Sequence, residues 1–538
     1  MPVLTRPTLQ WIPRGFERRY AAVRLKAIAN AMDAETQQLA PQTRRLWSQL
    51  AARLPFALLW DPRLCVSEGA DSQSQPAVEV AAAESKVADH SIRAMLRRRL
   101  ELAERGQYAQ LLREANAAEL ESRQAAQIHQ SKRQCKDPLS SAALNRAASA
   151  ADRGQLRTAA RILRDSRLLP PTSATAAAIE ELYQTCEAAG ARAIRAAAQP
   201  PPRSAGADVK AQHVREHIRC ARAYAHAGPG GEKNSHISAL LSCPCAQQTL
   251  LRWVRMWSRP GLSDEFREPW LQAIVVGGDK GGGKARPITF EESLLKLASS
   301  VIVRSQLPMV RRAAGPRQFG VYHSGAAPQV AWEVKSHMAA RPDMLYIALD
   351  VRNGFGAARR EDALHTADAH CNGLSGLFRN LWASGAQPTV WMDTESGWRR
   401  ALVQDGFLQG ACEAPVAFAS ALRAGLDAYE QRRLTDPELA DMHYRIWAYV
   451  DDMTLQVPVQ KASTFLHLLR EVLSEYGLHL HADKCTDRNS FRRGSGWVGT
   501  VHAGRIAYFR HSCRWGASGA NPCWAGCWAR KPQQDTCH

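Results

Sequence analysis

The sequence lacks any uninterrupted apolar run of the length that a membrane-spanning helix needs, about 18 to 20 residues. The N-terminal stretch MPVLTRPTLQWIPRGFERRY also lacks the apolar core of a secretory signal. The thirteen cysteines follow no regular spacing, which argues against a disulfide framework in a chain of 538 residues. These absences predict a soluble intracellular protein with no membrane partner.

Basic residues are in clear excess, with 70 Lys and Arg against 51 Asp and Glu and a formal net charge of +19. Such an excess is expected of a chain that binds phosphate backbones and displaces their counterions. A solvated basic surface would give the same count, so charge alone leaves both interpretations open. The length suffices for roughly two to four domains, and a hydrophobic content of 45% can fill more than one core.

The first half of the chain alternates helix-permissive segments with polar or Pro- and Gly-rich breaks. The sequence predicts a basic, partly helical region with a disordered linker over residues 1–135. It predicts a helical hairpin over residues 136–200. Residues 201–268 predict a linker followed by a helical extension. Within that range AHAGPGGEKN, residues 225–234, is one of the clearest linkers by composition.

After about residue 270 short β-rich runs alternate with helical stretches, a pattern typical of an α+β domain. MLYIALDVRNGFG predicts a strand that ends at Asp350, and YRIWAYVDDMTLQVPV predicts a hairpin with Asp451 and Asp452 at its tip. Carboxylates from two strands can hold two Mg²⁺ ions, which clamp the attacking and leaving oxygens of a phosphoryl transfer. Taken alone, the Asp pair has an equal structural explanation, because aspartate favours turns.

The stretch VVGGDKGGGKARPITFEE, residues 275–292, nearly matches a phosphate-binding P-loop, with Lys284 at the lysine position. Ala285 cannot supply the Mg²⁺ ligand that Ser or Thr gives there, and the proline that follows interrupts the helix a P-loop requires. The sequence instead favours a flexible hairpin in which Lys280, Lys284 and Arg286 offer cations to phosphate groups.

Together these motifs resemble those of reverse transcriptases, and most closely the non-LTR, LINE-type retrotransposon enzymes. LDVRNGF and YVDD resemble the family's strand aspartate and its Tyr-x-Asp-Asp turn, and DGFLQGACEAPVAF resembles its Gly-x-x-Gln-Gly-x-x-x-x-Pro segment. GGGKARPI resembles the fingers segment, and QFGVYHSGAAPQVAWEV, from Gln318, resembles the block that follows it. LHLHADKC resembles the lysine-bearing segment after the catalytic turn, and WVGT resembles a turn near the primer. The segments keep the family's order over residues 271–500.

The resemblance implies a right-hand polymerase preceded by a mainly helical region. Fingers are expected at residues 269–345, and a palm with a split βαβ, ferredoxin-like sheet at residues 346–505. No complete thumb fits after Thr500, so the thumb is expected to be absent or truncated. The tail at residues 506–538 is irregular and rich in Cys and Trp, and its spacings favour an out-of-frame end over a zinc site.

The resemblance also implies RNA-directed DNA synthesis by nucleotidyl transfer. The expected partners are an RNA template, a DNA primer or target, and dNTPs, and the expected location is nuclear. Two Mg²⁺ ions, which Mn²⁺ can replace, are expected at the carboxylates and one backbone carbonyl, and a lysine acts as the general acid near the departing pyrophosphate. The implied metal ligands are Asp350, Val351, Asp451 and Asp452, and the implied lysine is Lys484.

The implied nucleotide site also contains Phe355, Gln409 and Gly410, beside the three cations of the fingers hairpin. RNA polymerases with a similar palm carry a second aspartate at the position of Phe355, and a phenyl ring there crowds a 2′-hydroxyl and favours deoxynucleotides. Gln409 and Gly410 resemble the segment that packs beneath the template base and the incoming nucleotide. Glu413 departs from the family's usual neutral residue. The missing thumb and the irregular tail keep an alternative open, a degenerate or repurposed nucleic-acid-binding protein without turnover.

Overall fold

The computed structural model describes residues 9, 11–60, 78–117, 168–184, 207–221, 227–280, 284–382, 385–481, 486–487, 497–502 and 505–510. They form a mixed α+β fold, which confirms the predicted class at that level. The chain divides into two compact units, the first made of Met1–Val310 with Phe355–Ala417 and the second of Arg311–Gly354 with Phe418–His538. None of the described helices is both long enough and apolar enough to cross a membrane.

Helices precede the first strand and alternate with strands through much of the described chain. In chain order the ones used below are α1 (Glu17–Thr36), α2 (Pro41–Leu59), α3 (Val78–Glu104), α4 (Ser173–Gln184), α5 (Ala211–Cys220), α6 (Asn234–Leu240), α7 (Ala246–Trp257), α8 (Asp264–Arg267), α9 (Ser293–Ser305), α10 (Leu307–Ala314), α11 (Ala326–Ala340), α12 (Gly354–Ala357), α13 (Arg360–His370), α14 (Asn372–Trp382), α15 (Ala414–Thr435) and α16 (Ala462–Glu475). A further helical stretch occupies residues 108–117.

The strands form one sheet in each unit. They are β1 (Gln272–Asp279), β2 (Ala285–Glu291), β3 (Met344–Asp350), β4 (Thr389–Thr394), β5 (Gly397–Leu402), β6 (Arg445–Tyr449), β7 (Asp452–Pro458), β8 (Thr486–Asp487), β9 (Trp497–His502) and β10 (Arg505–Arg510). The first unit has the order β2-β1-β4-β5, and the second has the order β10-β9-β8-β3-β7-β6.

The sheet of the first unit mixes strand directions. β1 pairs antiparallel with β2 and parallel with β4, and β4 pairs antiparallel with β5. Helix α4 packs on this sheet: the Leu169 N–H donates to the Gly277 carbonyl at 2.8 Å, and the Tyr183 and Thr289 hydroxyls lie 3.2 Å apart. The rest of the hairpin predicted at 136–200 lies outside the described residues. What is described of that region is therefore a helix held on the sheet.

Residues 227–232, where the sequence predicts a linker, are buried. A Cβ added to Gly228 would lie 2.3 Å from the Glu291 carbonyl oxygen, so only glycine allows this approach. Glu232 accepts from the buried guanidinium of Arg24 in two hydrogen bonds, at 2.9 and 3.0 Å. The glycines of this segment serve close packing here, and the linker prediction is wrong for these residues.

The sheet of the second unit is built around β3, which pairs antiparallel with β7 and with β8. Its core includes Val334 of α11 against Met344, Tyr346 and Trp447. Of the strand predicted at LHLHA, the described residues 478–481 form one bridge, between Val351 and Leu480, so pairing over these residues is shorter than expected.

Helix α16 buries an apolar face that the sequence predicts. Phe465, Leu469, Val472 and Leu473 are buried, and the helix ends before Gly477, whose φ is 74°. The Leu478 N–H donates to the Leu473 carbonyl at 2.9 Å, the type of bond that closes a helix with a left-handed glycine. The spacing of apolar residues thus predicts both the helix and its end correctly.

Candidate functional site

The acidic turn lies between β6 and β7 in the second unit. The two strands pair antiparallel from Tyr449 opposite Asp452 to Arg445 opposite Gln456, which confirms the predicted hairpin. Asp451 belongs to the turn, and Asp452 is the first residue of β7. Asp451 is half-buried and Asp452 is exposed, so both carboxylates stand at an open edge of the sheet.

The backbone of this turn is unusual at Val450, whose φ is 57°. Residues other than glycine rarely adopt this left-handed region, and a β-branched residue does so only when its surroundings impose it. The conformation reverses the chain within the pair of residues between β6 and β7. It thereby determines the direction in which Asp451 and Asp452 leave the turn.

Asp350 ends β3 on the neighbouring side of β7. In the antiparallel ladder Asp350 is the direct partner of Asp452. Directly opposed residues point to the same face of a sheet, with Cβ atoms about 4.5–5.5 Å apart. The end of β3 is fixed on its other side as well, because the His481 N–H donates to the Asp350 carbonyl at 2.8 Å. The sheet register therefore brings together two carboxylates separated by about a hundred residues of sequence.

Directly opposed like charges destabilise a sheet, and a bound cation is one way to offset that repulsion. Carboxylate oxygens are the donors that Mg²⁺ prefers, and Mg²⁺ is usually held by one or two carboxylates with waters and substrate phosphates. Over the described part of the chain, no group of three or more His, Cys, Asp or Glu side chains is placed so that it could hold a metal ion. Asp350, Asp451 and Asp452 are the predicted carboxylate ligands, and the structure sets Asp350 opposite Asp452 without showing a metal site among the described residues. Val351, the fourth predicted ligand, is buried beside them.

The predicted Gln-Gly segment lies in the first unit, against β2. The Thr289 N–H donates to the Gln409 carbonyl at 2.8 Å. Gly410 has a φ of 118°, and a Cβ there would lie 2.6 Å from the Thr289 carbonyl oxygen. Glycine is therefore required for this approach, because both the left-handed backbone and the space exclude a side chain. The Gln409 side chain is half-buried.

Phe355 belongs to the same unit and is half-buried. Its carbonyl accepts from the Phe407 N–H at 2.7 Å, which joins the segment after β3 to the segment before the Gln-Gly pair. Gly406 makes this junction possible, since a Cβ there would lie 2.4 Å from the Gly356 carbonyl oxygen. The backbone of Phe355 is thus fixed while part of its ring stays accessible.

The Gly-rich stretch at residues 275–292 is a β-hairpin. β1 and β2 pair from Ala273 opposite Glu291 to Asp279 opposite Ala285, and the Lys280 N–H donates to the Lys284 carbonyl at 2.9 Å. A strand follows Lys284 where a P-loop requires a helix, so the P-loop alternative is excluded. Lys280, Lys284 and Arg286 are all exposed at the tip. Lys484, the predicted general acid, lies outside the described residues.

The first unit also contains a buried pair of acids that the sequence does not predict. Glu291 at the end of β2 and Glu413 before α15 are both buried, and one oxygen of each has no hydrogen-bond partner. Burial raises the pKa of Glu291 well above its usual range, and the neighbouring Glu413 raises it further. Burial likewise raises the pKa of Glu413. Burial and the repulsion between the two acids outweigh the opposing effect of nearby Lys296 and favour a protonated, uncharged form.

Gln318 is a second feature that the sequence did not single out as a site residue. Its side chain forms hydrogen bonds with the backbone of Val450 in the acidic turn. The signal was present in the sequence, because Gln318 opens the QFG block of the family-like motif. The pattern gave no indication that the side chain reaches a turn more than a hundred residues away.

Comparison with known families agrees with this geometry. Residues 279–500 match the family model described as reverse transcriptase (RNA-dependent DNA polymerase). This range is therefore similar to reverse transcriptases, a family that generally uses divalent metal ions, a nucleic-acid template and primer, and dNTPs. No curated protein matches the chain.

Proposed function

We propose that the chain is an RNA-directed DNA polymerase of a non-LTR, LINE-type retroelement, which adds dNTPs to a primer 3′ end. The observation that supports it most is the register that sets Asp350 opposite Asp452, beside the turn that carries Asp451. This arrangement, within the matched range of 279–500, is the one that nucleotidyl transfer needs. In this proposal the second unit's sheet is the palm and the β1–β2 hairpin belongs to the fingers.

Asp350, Asp451, Asp452 and the carbonyl of Val351 would hold two Mg²⁺ ions, for which Mn²⁺ can substitute. When bound, the ions lower the charge on the reacting phosphate and orient the attacking and leaving oxygens. The residues themselves fix the position of the primer 3′ end and of the nucleotide. Placement of this kind contributes much of the rate of a phosphoryl transfer, because little covalent chemistry falls to the protein.

The remaining predicted residues select and hold the nucleotide. Lys280, Lys284 and Arg286 neutralise the triphosphate or template phosphates from the exposed hairpin tip. Phe355 crowds a 2′-hydroxyl, and the Gln409–Gly410 backbone packs beneath the base pair. In the proposal Lys484 supplies the proton to the departing pyrophosphate.

Primer extension tests the proposal. The full chain is incubated with an RNA template, an annealed DNA primer, Mg²⁺ and dNTPs, and each single addition to the primer is resolved. The proposal predicts templated addition that stops when the dNTP complementary to the template is omitted. A nucleic-acid-binding protein without turnover gives retention of the primer–template in a binding assay and no addition, and that outcome contradicts the proposal.

A further inference from the structure

A short segment of the second unit lies alongside β6 and reaches the acidic turn. The Ala448 N–H donates to the Arg317 carbonyl and the Phe319 N–H donates to the Ala448 carbonyl, both at 2.8 Å. Gln318 is thereby paired in parallel with Ala448. This pairing fixes the backbone of Gln318 at the level of the last residues of β6, next to the turn.

The Gln318 side chain bonds to both backbone polar groups of Val450. The Val450 N–H donates to Gln318 Oε1 at 2.8 Å, and Gln318 Nε2 donates to the Val450 carbonyl at 3.1 Å. Oε1 also accepts from the Gly320 N–H at 2.9 Å, which orients the amide group. Gln318 is 4% exposed, so water does not replace these bonds readily.

Val450 is the residue of the turn that needs such support. Its φ of 57° is disfavoured for a β-branched side chain, and the turn reaches this conformation only if neighbouring contacts impose it. Gly320 completes the contact: a Cβ there would lie 2.5 Å from the Val450 nitrogen and 2.7 Å from its Cγ2. The segment therefore fits the turn in its left-handed form.

We propose that Gln318 is a positioning residue for nucleotidyl transfer, which acts through Val450. Its amide group holds the turn left-handed and so fixes where Asp451 stands relative to Asp350 and Asp452, which the β3–β7 ladder already pairs. The catalytic part of this inference rests on the proposed polymerase function. The contact itself does not, because it can be measured on the protein without substrate.

The kinetic test combines Gln318→Met, which keeps the length of the side chain, with Val450→Gly, which removes the strain. Gln318→Met is expected to lower the kcat of single-nucleotide addition about 10- to 100-fold, as the loss of both hydrogen bonds to Val450 implies, with the KM for dNTP changed by less than about twofold. In the Val450→Gly background, Gln318→Met is expected to lower kcat only about threefold or less, because glycine adopts the left-handed conformation without support. An equal loss in both backgrounds would overturn the proposal.

Gln456→Met is the matched control in the same sheet. Gln456 is buried on β7 and donates to the Tyr346 hydroxyl at 2.9 Å, away from the turn. The substitution removes one buried hydrogen bond, to the Tyr346 hydroxyl, and is expected to lower thermal stability while leaving kcat within about twofold of the parent. If Gln456→Met lowers kcat as strongly as Gln318→Met, the effect is a general loss of packing and the positioning role is refuted.

Residue-resolved hydrogen exchange on the full chain gives a measurement that does not depend on activity. In Gln318→Met the Val450 amide is expected to exchange at least about tenfold faster, while amides of the β3–β7 ladder are unchanged. Unchanged exchange at Val450 overturns the proposal, and so does faster exchange with an unchanged kcat in an active parent. If the parent adds no nucleotide, the polymerase function fails and the exchange result alone decides whether Gln318 holds the turn.

Discussion

Asp350 at the end of β3 and Asp452 at the start of β7 are direct partners in one antiparallel ladder. Their proximity is set by backbone pairing along the full length of both strands, from Met344 opposite Pro458 onward. A single-residue slip of either strand would send one carboxylate to the opposite face. The two acids are therefore held by the whole sheet, and no local loop rearrangement is needed to bring them together.

Discrimination against ribonucleotides is expected to depend on the Phe355 ring. Phe355→Ala should raise kcat/KM for rNTP addition at least about tenfold relative to dNTP addition, because it removes a steric conflict with the 2′-hydroxyl. Phe355→Tyr keeps the ring and should keep the discrimination. Parallel single-nucleotide kinetics with dNTP and rNTP check this, and an alanine variant that still excludes rNTPs would identify Phe355 as a packing residue.

The β1–β2 hairpin is expected to bind the nucleotide through charge. Lys284→Ala should raise the KM for dNTP about five- to tenfold, since a charge-assisted hydrogen bond to phosphate is lost, and should change kcat less. Lys335→Ala, at an exposed lysine of α11, is the matched control and should leave KM unchanged. If the two variants have the same KM for dNTP, the hairpin does not bind the nucleotide.

Binding of primer–template is expected to weaken steeply with salt. A chain of net charge +19 that neutralises several phosphates releases their counterions, and this gain falls as salt rises. The Kd measured by fluorescence anisotropy should rise at least about 100-fold between about 50 and 200 mM salt. A Kd that stays flat over this range would show that phosphate contacts are not the main source of affinity.

The buried pair Glu291 and Glu413 should make the stability of the protein fall as pH rises. Both have raised pKa values in the folded chain, so the native state binds more protons than the unfolded state, whose glutamates titrate near 4.3. Their stabilising contribution is complete below about pH 4.3 and is lost as pH rises through the folded pKa values.

Glu413→Gln tests this dependence directly. The free energy of unfolding, from urea denaturation, should decline less between pH 5 and 8 in the variant, and at pH 8 the variant should be more stable by about 1 kcal/mol or more. Glu361→Gln, at an exposed glutamate of α13, should follow the parent. A parallel decline in the parent and in Glu413→Gln would mean that the pair is not protonated in the folded state.

Much of the local structure follows from the sequence. Short apolar runs predict β3 and the β6–β7 hairpin, and the spacing of Phe465, Leu469 and Val472 predicts α16. These elements depend on contacts close in sequence or on one buried face, which a residue pattern records directly. The proline after Lys284 likewise identifies a hairpin where a P-loop motif nearly fits.

Relations across long stretches of sequence could not be read in the same way. The partner of Asp350 depends on strand register, and the reach of Gln318 to Val450 depends on a pairing beside β6, neither of which leaves a periodic signal. The linker prediction around Gly228 fails for a different reason. Glycine marks linkers by composition, but here the missing side chain admits the Glu291 carbonyl, and that contact is visible only once the chain is folded.

Single-nucleotide addition by Asp350→Asn is the most direct measurement of the central claim, that Asp350 and the acidic turn form one metal-dependent site. The matched control is Asp343→Asn, an exposed aspartate just before β3 that pairs with Arg341 at 3.0 Å. The account predicts that Asp350→Asn lowers the Mg²⁺-dependent rate about 1,000-fold or more, the loss expected when several kcal/mol of metal-held charge stabilisation are removed, while Asp343→Asn stays near the parent. Asp350→Asn adding nucleotides at the rate of Asp343→Asn would contradict it.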